Sequence, residues 1–319
     1  MAGYPGIAQI RAAARTIEPF VHRTAVLTCR SIDQICGASL FFKCENFQKV
    51  GAFKARGATN AVYSLKENEL KNGVATHSSG NHAAAIAYAA RCRGTGAYVV
   101  MPENSSPVKI AAVRGYGAEI IFCKPTQQAR EAALQQVIEK TGAIFIHPYN
   151  DNRVIAGQGT ATLELLEQVP ELEAIITPVG GGGLLSGTAL AAAATRPEIA
   201  VYGAEPAGAD DAYRSLQAGH IIPMEKPDTI ADGLRTSLGD LTFPVIRDYA
   251  SGIITVSEKT IIEAMRLVWE RMKIIIEPSS AVALAALLSN RAGIKGTRIA
   301  VILSGGNVNL DDLPWQLKC

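Results

Sequence analysis

Short apolar or β-branched runs alternate along the 319-residue chain with longer segments whose apolar residues recur at helical spacing. The short runs predict nine strands, at residues 39–45, 73–79, 96–102, 118–123, 143–148, 173–180, 199–206, 251–257 and 298–306. The clearest helical patterns cover residues 82–93, 107–117, 126–142 and 259–273. Strands that alternate with helices predict βαβ units, and therefore mostly parallel sheets with helices on both faces. Because one sheet usually has about 4–6 strands, this number predicts two sheets.

The predicted fold class is thus α/β, with two open, mostly parallel, twisted sheets. In such folds, ligands bind beyond the carboxyl ends of the strands. The turns that lead from a strand into a helix are therefore the places where chemistry is expected.

The composition is typical of a soluble globular protein, with 48% hydrophobic and 19% charged residues. The net charge is +2 and no basic stripe interleaves with aromatic residues, so nothing favours nucleic-acid binding. The apolar stretch 184–194 is shorter than the roughly 20 residues of a membrane span, and the first residues lack the apolar core of a targeting signal. No CxxC pair occurs, which favours buried thiols in a reducing cytoplasm. The cysteines are Cys29, Cys36, Cys44, Cys92, Cys123 and Cys319.

A run of four glycines, Gly180 to Gly183, follows one predicted strand and precedes a helix of small residues. Successive backbone N–H groups and a helix N-terminus can then surround a phosphate. The run is not a dinucleotide fingerprint, because Leu185 and Ser186 stand where a further glycine would be needed, and no GK[ST] follows. A flexible tight turn is the alternative, although four glycines carry a large entropy cost.

The turn Thr76-His77-Ser78-Ser79-Gly80-Asn81-His82-Ala83 offers backbone N–H groups and hydroxyls at the start of another helix. This arrangement suits a carboxylate. A simple N-cap would account for one serine but not for the whole run. A metal is not favoured, because no third ligand accompanies the two histidines.

Two further strand ends carry polar groups. Ser304 ends the C-terminal strand, where a neutral hydroxyl can hydrogen-bond a ring nitrogen. Glu205, Asp210 and Asp211 follow another strand, and spaced oxygen atoms of this kind suit a divalent cation. On spacing alone, a solvated acidic loop fits these acids equally well.

Lys54 lies in QKVGAFKARGA (48–58), between a predicted strand and a helix-like run. Taken by itself, it is an ordinary solvated lysine of a first helical turn. A phosphate site, a lysine and a partner for a pyridine nitrogen are together what pyridoxal phosphate requires. A partly desolvated lysine near helix N-termini is deprotonated often enough to act as a nucleophile and a base.

These motifs together resemble the fold-type II pyridoxal-phosphate enzymes of the serine racemase and serine/threonine dehydratase family. The resemblance covers nearly the whole chain, through FFKCENFQKVGAFKARGA, THSSGNHAAA, HPYNDNRVIAGQGT, GGGGLLSG, AEPAGADDAYRS, IADGLRTSLG, IEPSSA and ILSGGN. It implies a tryptophan synthase β-like fold. A large cofactor-binding domain would comprise residues 1–72 and 149–319, and a small mobile domain residues 73–148.

The resemblance also implies residue roles. Lys54 would hold the cofactor and act as base on one face of the substrate, and Ser79 would be the acid or base on the other face. The remaining cofactor contacts would be Phe53, Asn81, Gly180, Gly181, Gly182, Gly183, Leu184 and Ser304. The substrate contacts would be Ser78, Ser79, Gly80, Asn81 and Arg130. A divalent cation (magnesium, calcium or manganese) would bind Glu205, the carbonyl of Ala209 and Asp211.

The implied activity is racemisation of serine together with β-elimination to pyruvate and ammonia. A dedicated dehydratase of 3-hydroxyaspartate or threonine is the alternative, since Arg130 or Arg235 could pair with a second substrate carboxylate or be a surface arginine. ATP as an activator is left open: Lys49, Asn81 and Tyr116 match that site, but the helix after Asn81 lacks its glutamine. A non-catalytic phosphate- or nucleotide-binding protein on the same scaffold is a further alternative. A cytoplasmic homodimer that acts on a small amino acid, without nucleic acid or membrane, is expected.

Overall fold

The structure is a computed structural model and describes residues 3–316. Its strands are β1 (Val26–Leu27), β2 (Ser39–Cys44), β3 (Val74–His77), β4 (Ala97–Pro102), β5 (Glu119–Cys123), β6 (Ile144–Phe145), β7 (Ala174–Pro178), β8 (Ala200–Pro206), β9 (Gly252–Val256) and β10 (Arg298–Leu303). Its helices are α1 (Ile7–Ile17), α2 (Arg30–Cys36), α3 (Lys54–Tyr63), α4 (Glu67–Leu70), α5 (Asn81–Arg93), α6 (Pro107–Gly115), α7 (Gln127–Thr141), α8 (Asn152–Gln168), α9 (Gly183–Thr195), α10 (Asp211–Ala218), α11 (Thr242–Tyr249), α12 (Glu258–Met272) and α13 (Pro278–Asn290).

The strands form two sheets. The larger has the order β1-β2-β10-β7-β8-β9, and the smaller has the order β5-β4-β3-β6. All neighbouring strands run parallel except β1, which pairs antiparallel with β2. The predicted α/β class with two mostly parallel sheets is therefore confirmed, and each predicted strand corresponds to one of β2 to β10. The prediction missed β1, because two half-buried residues are too few to produce a pattern.

Local signals place the helices where the pattern predicts them. The helices α5, α6, α7 and α12 begin and end within about two residues of the predicted segments. Thr126 and Ser257 cap α7 and α12 with side-chain oxygens that accept from the third following N–H group. Pro107 starts α6, as its fixed φ allows, and Gly94 and Gly142 end α5 and α7 in the left-handed region.

The sheets are buried on both faces, as parallel sheets must be. One core of the larger sheet packs against α12 and α13, and another packs against α9. The smaller sheet packs against α3 and α5 on one face and α7 on the other. Within the described residues, no helix combines the length and the apolar character that a bilayer crossing would require.

Three of the five described cysteines, Cys36, Cys44 and Cys123, are buried, Cys29 is half-buried and Cys92 is exposed. The prediction of mostly buried thiols is confirmed for these positions. Cys319 lies outside the described residues.

A buried group of charges holds α3 between β2 and α8. Arg56 is fully buried and donates to both oxygens of Glu45 at 2.7 and 2.8 Å. It also donates to both oxygens of Glu164 on α8 at 2.7 and 2.8 Å. Lys43, likewise fully buried, donates to Glu164 at 2.8 Å. Each charge is paired at hydrogen-bond distance. Removal of one member would leave its partner as an uncompensated buried charge, which strongly destabilises a fold.

Replacement of Arg56 by methionine should lower the free energy of unfolding by about 3–5 kcal/mol, because Glu45 would remain buried without its partner. Urea denaturation followed by circular dichroism measures this loss. The matched control is Arg23→Met, which breaks the exposed pair with Glu167 and should cost at most about 1 kcal/mol. Equal losses in the two variants would show that the buried pairs do not stabilise the fold.

Candidate active site

The turn that carries Lys54 and the end of β10 lie against each other at the carboxyl edge of the larger sheet. Ala52 forms an isolated antiparallel bridge with Gly305, and Phe53 N–H donates to the Ser304 carbonyl at 3.0 Å. Ser304 is 3% exposed. The structure therefore brings the turn that carries Lys54 against the backbone of Ser304.

Lys54 is half-buried and is not the solvated residue that its position alone suggests. Its Nζ donates to the carbonyl oxygen of Pro148 at 2.8 Å and lies 5.1 Å from the centre of the Phe53 ring. Burial lowers the pKa of Lys54 to about 8. No carboxylate contributes to this shift, so the neutral amine is available near physiological pH.

The glycine turn ends β7 and begins α9. In residues 3–316, the backbone N–H groups from Gly180 to Leu185 find no hydrogen-bond acceptor, and Gly181 to Leu185 are buried. Buried backbone donors in folded proteins almost always have an acceptor. A phosphate at this helix N-terminus would supply one. The chemistry of this donor set therefore fits the phosphate of pyridoxal phosphate.

The glycines are required by their neighbours. A Cβ atom on Gly181 would lie 2.3 Å from the ring of Tyr149, and one on Gly182 would lie 2.9 Å from Thr242. Gly182 also has φ +87°, in the left-handed region that favours glycine. The alternative of a merely flexible turn does not fit this tightly packed loop.

The turn between β3 and α5 presents the predicted carboxylate-binding groups. Gly80 N–H donates to Ser78 Oγ at 3.3 Å, and Ser79 makes no side-chain hydrogen bond within the described part of the chain. Asn81 Nδ2 donates to Glu277 at 2.7 Å, and Asn307 donates to Asn81 Oδ1 at 3.0 Å. Both ends of the Asn81 amide are thus fixed at the first residue of α5.

Sequence reasoning assigned no role to Glu277, Asn307 or Lys109. Glu277 is 2% exposed, and burial raises its pKa to about 7. Its Oε2 is buried and has no hydrogen-bond partner in residues 3–316. Lys109 Nζ pairs with Asp232 and would lie 3.4 Å from a Cβ atom on Gly80. The one available signal for Glu277 was an acid between an apolar run and a helix-starting proline.

Two of the predicted cation ligands are buried, which contradicts a solvated acidic loop. Glu205 and Asp211 are each 1% exposed. Burial raises their pKa values to about 9 and about 7, and the charge of Asp211 adds to the shift of Glu205. Asp211 Oδ1 is buried and has no hydrogen-bond partner in the described part of the chain. Among the described residues, no group of three or more His, Cys, Asp or Glu could hold a metal, so the backbone carbonyl of Ala209 would have to contribute.

Other predicted residues lie elsewhere. Arg235 donates to the carbonyl of Thr229 at 2.9 Å and holds its own loop. Arg130 is half-buried and its Nε has no partner among the described residues. Tyr116 follows α6 and packs edge-on against Tyr88 at 5.7 Å, whereas Lys49 lies in the turn before α3.

The two histidines beside the β3–α5 turn, His77 and His82, contact other groups of the protein. His82 Nε2 lies 3.4 Å from the Ile146 carbonyl oxygen. The pKa of His82 is lowered, mainly by burial and less strongly by the charge of Lys54. His77 stacks on Phe145 with ring centres 5.7 Å apart.

The profile of the family described as "Pyridoxal-phosphate dependent enzyme" matches residues 17–305. Serine racemase from Dictyostelium discoideum is 54% identical over 310 residues, which is 95% of each chain. A beta-hydroxyaspartate dehydratase from Paracoccus denitrificans is 50% identical over 98% of this chain and 99% of its own. The solved structure of maize serine racemase superposes with a TM-score of 0.94 at 49% identity, over 96% of this chain and 94% of that one.

The chain therefore belongs to the family of pyridoxal-phosphate-dependent enzymes. The predictions of the family, of the fold type and of pyridoxal phosphate as cofactor are confirmed. The residue roles stay predictions.

Covalent capture of pyridoxal phosphate by the cofactor-free protein should become faster with pH and level off near pH 8. Below that pH, Lys54 is increasingly protonated and the fraction of nucleophilic amine falls about tenfold per unit. Stopped-flow absorbance between pH 6.5 and 10.5 measures the rate. Lys54→Ala is the control for other lysines, and a rate that keeps rising beyond pH 10 would contradict the lowered pKa.

Proposed function

We propose that this enzyme interconverts L-serine and D-serine and also converts serine to pyruvate and ammonia by β-elimination. The observation that carries the proposal is the amine of Lys54, which donates to the Pro148 carbonyl and whose pKa burial lowers to about 8. The identity of 54% with a serine racemase supports the choice of substrate. Pyridoxal phosphate, when bound, supplies the electron sink that makes the α-hydrogen of an amino acid acidic.

We assign the predicted site residues the following roles. Lys54 takes the α-proton from one face, and Ser79, whose hydroxyl has no partner in the described chain, delivers a proton to the other. The unpaired N–H groups of the glycine turn bind the phosphate, with Leu184 and Phe53 completing the cofactor contacts. Ser78 and Gly80 hold the substrate carboxylate.

The cofactor ring would be fixed at two points. Asn81, held by Glu277 and Asn307, binds the ring hydroxyl. Ser304 would hydrogen-bond the ring nitrogen with a neutral hydroxyl, which brings no charge to that nitrogen. Ser79 would deliver a proton on the face opposite Lys54, so that racemisation and β-elimination would share one site.

Residues 73–148 would form the small domain that closes over substrate, and residues 1–72 and 149–319 the large one. The four-stranded sheet lies wholly within 74–145, which supports this division. Lys109, from α6, and Asp232 pair across the two parts.

The buried carboxylates of Glu205 and Asp211, with the carbonyl of Ala209, would bind magnesium or a similar cation. The support is the buried Asp211 Oδ1, which has no hydrogen-bond partner among the residues that the structure describes. Nucleotide binding by Lys49, Asn81 and Tyr116, a homodimeric state and a cytoplasmic location stay predictions.

A second candidate is a dehydratase of 3-hydroxyaspartate. The Arg130 Nε atom, which is buried and has no partner in the described residues, could pair with a second substrate carboxylate. The identity of 50% with a beta-hydroxyaspartate dehydratase points the same way.

The purified enzyme given L-serine should form both D-serine and pyruvate, because one deprotonated site feeds both reactions. Chiral chromatography and a coupled pyruvate assay measure the two products separately, with 3-hydroxyaspartate and threonine as parallel substrates. Pyruvate without D-serine, or activity confined to 3-hydroxyaspartate, would contradict the racemase proposal.

The matched variant for this test is Ser79→Ala. It should lose racemisation by about 100-fold or more, since a positioned acid contributes about 10²–10⁴. Elimination from L-serine should be reduced much less, because Lys54 still removes the proton. An equal loss of both reactions would show that Ser79 does not act on the opposite face.

A further inference from the structure

The loop from Leu238 to Thr242 lies between the acidic pair and the glycine turn. Leu238 N–H donates to Asp211 Oδ2 at 3.1 Å. The next N–H group, that of Gly239, donates to Thr242 Oγ1 at 2.9 Å. The single proton of the Thr242 hydroxyl has two acceptors in reach, and the Gly181 carbonyl, at 2.8 Å, is closer than the Gly239 carbonyl at 3.2 Å. The loop therefore connects a proposed cation ligand to the proposed phosphate site through consecutive hydrogen bonds.

This connection is buried and closely packed. Asp211, Leu238 and Thr242 are 1%, 4% and 0% exposed. Asn150 Oδ1 accepts from Leu241 N–H at 2.9 Å and would lie 2.3 Å from a Cβ atom on Gly239. The loop thus has little room to shift without changing the contacts at both of its ends.

The hydrogen bond to Gly181 acts on one of the unpaired donors of the glycine turn. The Gly181 carbonyl and the Gly182 N–H belong to the same peptide, and they point in opposite directions because the peptide is trans. When Thr242 holds the carbonyl, it therefore fixes the direction of the Gly182 N–H. Thr242 also packs against Gly182, where a Cβ atom would lie 2.9 Å from it.

We infer that Thr242 is a positioning residue that couples cation binding at Asp211 to phosphate binding at the glycine turn. Asp211 Oδ1 is buried and has no partner among residues 3–316, while Oδ2 accepts from Leu238 N–H. A cation on Oδ1 would fix the plane of the carboxylate, and with it Leu238, Thr242 and the Gly182 N–H. The inference rests on the proposed cation site, and it makes the two ligands strengthen each other's binding.

Such coupling is reciprocal by thermodynamic necessity. Magnesium should lower the dissociation constant of pyridoxal phosphate by at least about fivefold, which is the lower end of the usual range for coupled sites. Pyridoxal phosphate should lower the dissociation constant of magnesium by the same factor. Visible absorbance after dilution of the holoenzyme, with and without magnesium chloride, measures the first. Calorimetric titration of magnesium into holoenzyme and cofactor-free enzyme measures the second.

Three variants separate the connection from general stability. Thr242→Ser keeps the hydroxyl and should keep the full coupling. Thr242→Val keeps the shape of the side chain but loses the hydroxyl, so each ligand should change the dissociation constant of the other by a factor near one. Thr188→Val is the control, because it removes a buried hydroxyl on α9 that pairs with Thr162 at 3.1 Å, away from the loop. It should leave the coupling unchanged.

The outcomes are distinct. If both ligands bind the unmodified enzyme and neither changes the affinity for the other, the inferred coupling is wrong, whereas the proposed cation site is retained. Full coupling in Thr242→Val would show that the coupling does not act through the Thr242 hydroxyl. If magnesium binds neither form of the enzyme, the proposed cation site is wrong and the coupling falls with it. The unmodified enzyme provides this test even if Thr242→Val does not fold.

Discussion

The placement of Lys54 depends on the buried ion pairs of Arg56. The two residues are two positions apart on the first turn of α3, so their side chains leave the helix in nearly opposite directions. Arg56 is clamped by Glu45 and Glu164, which fixes the rotation of α3 about its axis. Lys54 therefore faces the Pro148 carbonyl on the other side. A buried arginine with planar, paired contacts is better suited to this than a lysine would be.

The remaining chemistry follows from the parallel sheets. Their strands deliver the Lys54 turn, the glycine turn, the Ser78–Asn81 turn and Ser304 to neighbouring carboxyl edges. Among the described residues, the amides of the glycine turn and the Ser79 hydroxyl have no hydrogen-bond partner, and neither does Glu277 Oε2 at the start of α13. Leaving buried polar groups unpaired costs free energy, and a ligand that pairs with them recovers it. The unpaired groups therefore make the cofactor-free fold less stable, and the same groups form the binding site for the cofactor.

Much of this could be predicted from the sequence because the relevant signals are local. Alternating strands and helices gave the two sheets, and strand-end glycines, serines and Lys54 gave the turns. The contacts made by distant residues could not be predicted in this way. Arg56 and Glu164 are 108 positions apart, and so no local pattern connects them. Glu277 looked like any acid before a proline, and the lowered pKa of Lys54 arises from burial alone, which only the folded chain creates.

The central claim is that Lys54 is the residue to which the cofactor is covalently bound. Reduction of the purified enzyme with borohydride, followed by peptide mass mapping, tests it most directly, because reduction makes the lysine linkage permanent. The account predicts a pyridoxyl-phosphate group on the peptide that contains Lys54, and none in the Lys54→Ala variant. The same group on another lysine, or no modified peptide from enzyme incubated with pyridoxal phosphate, would contradict it.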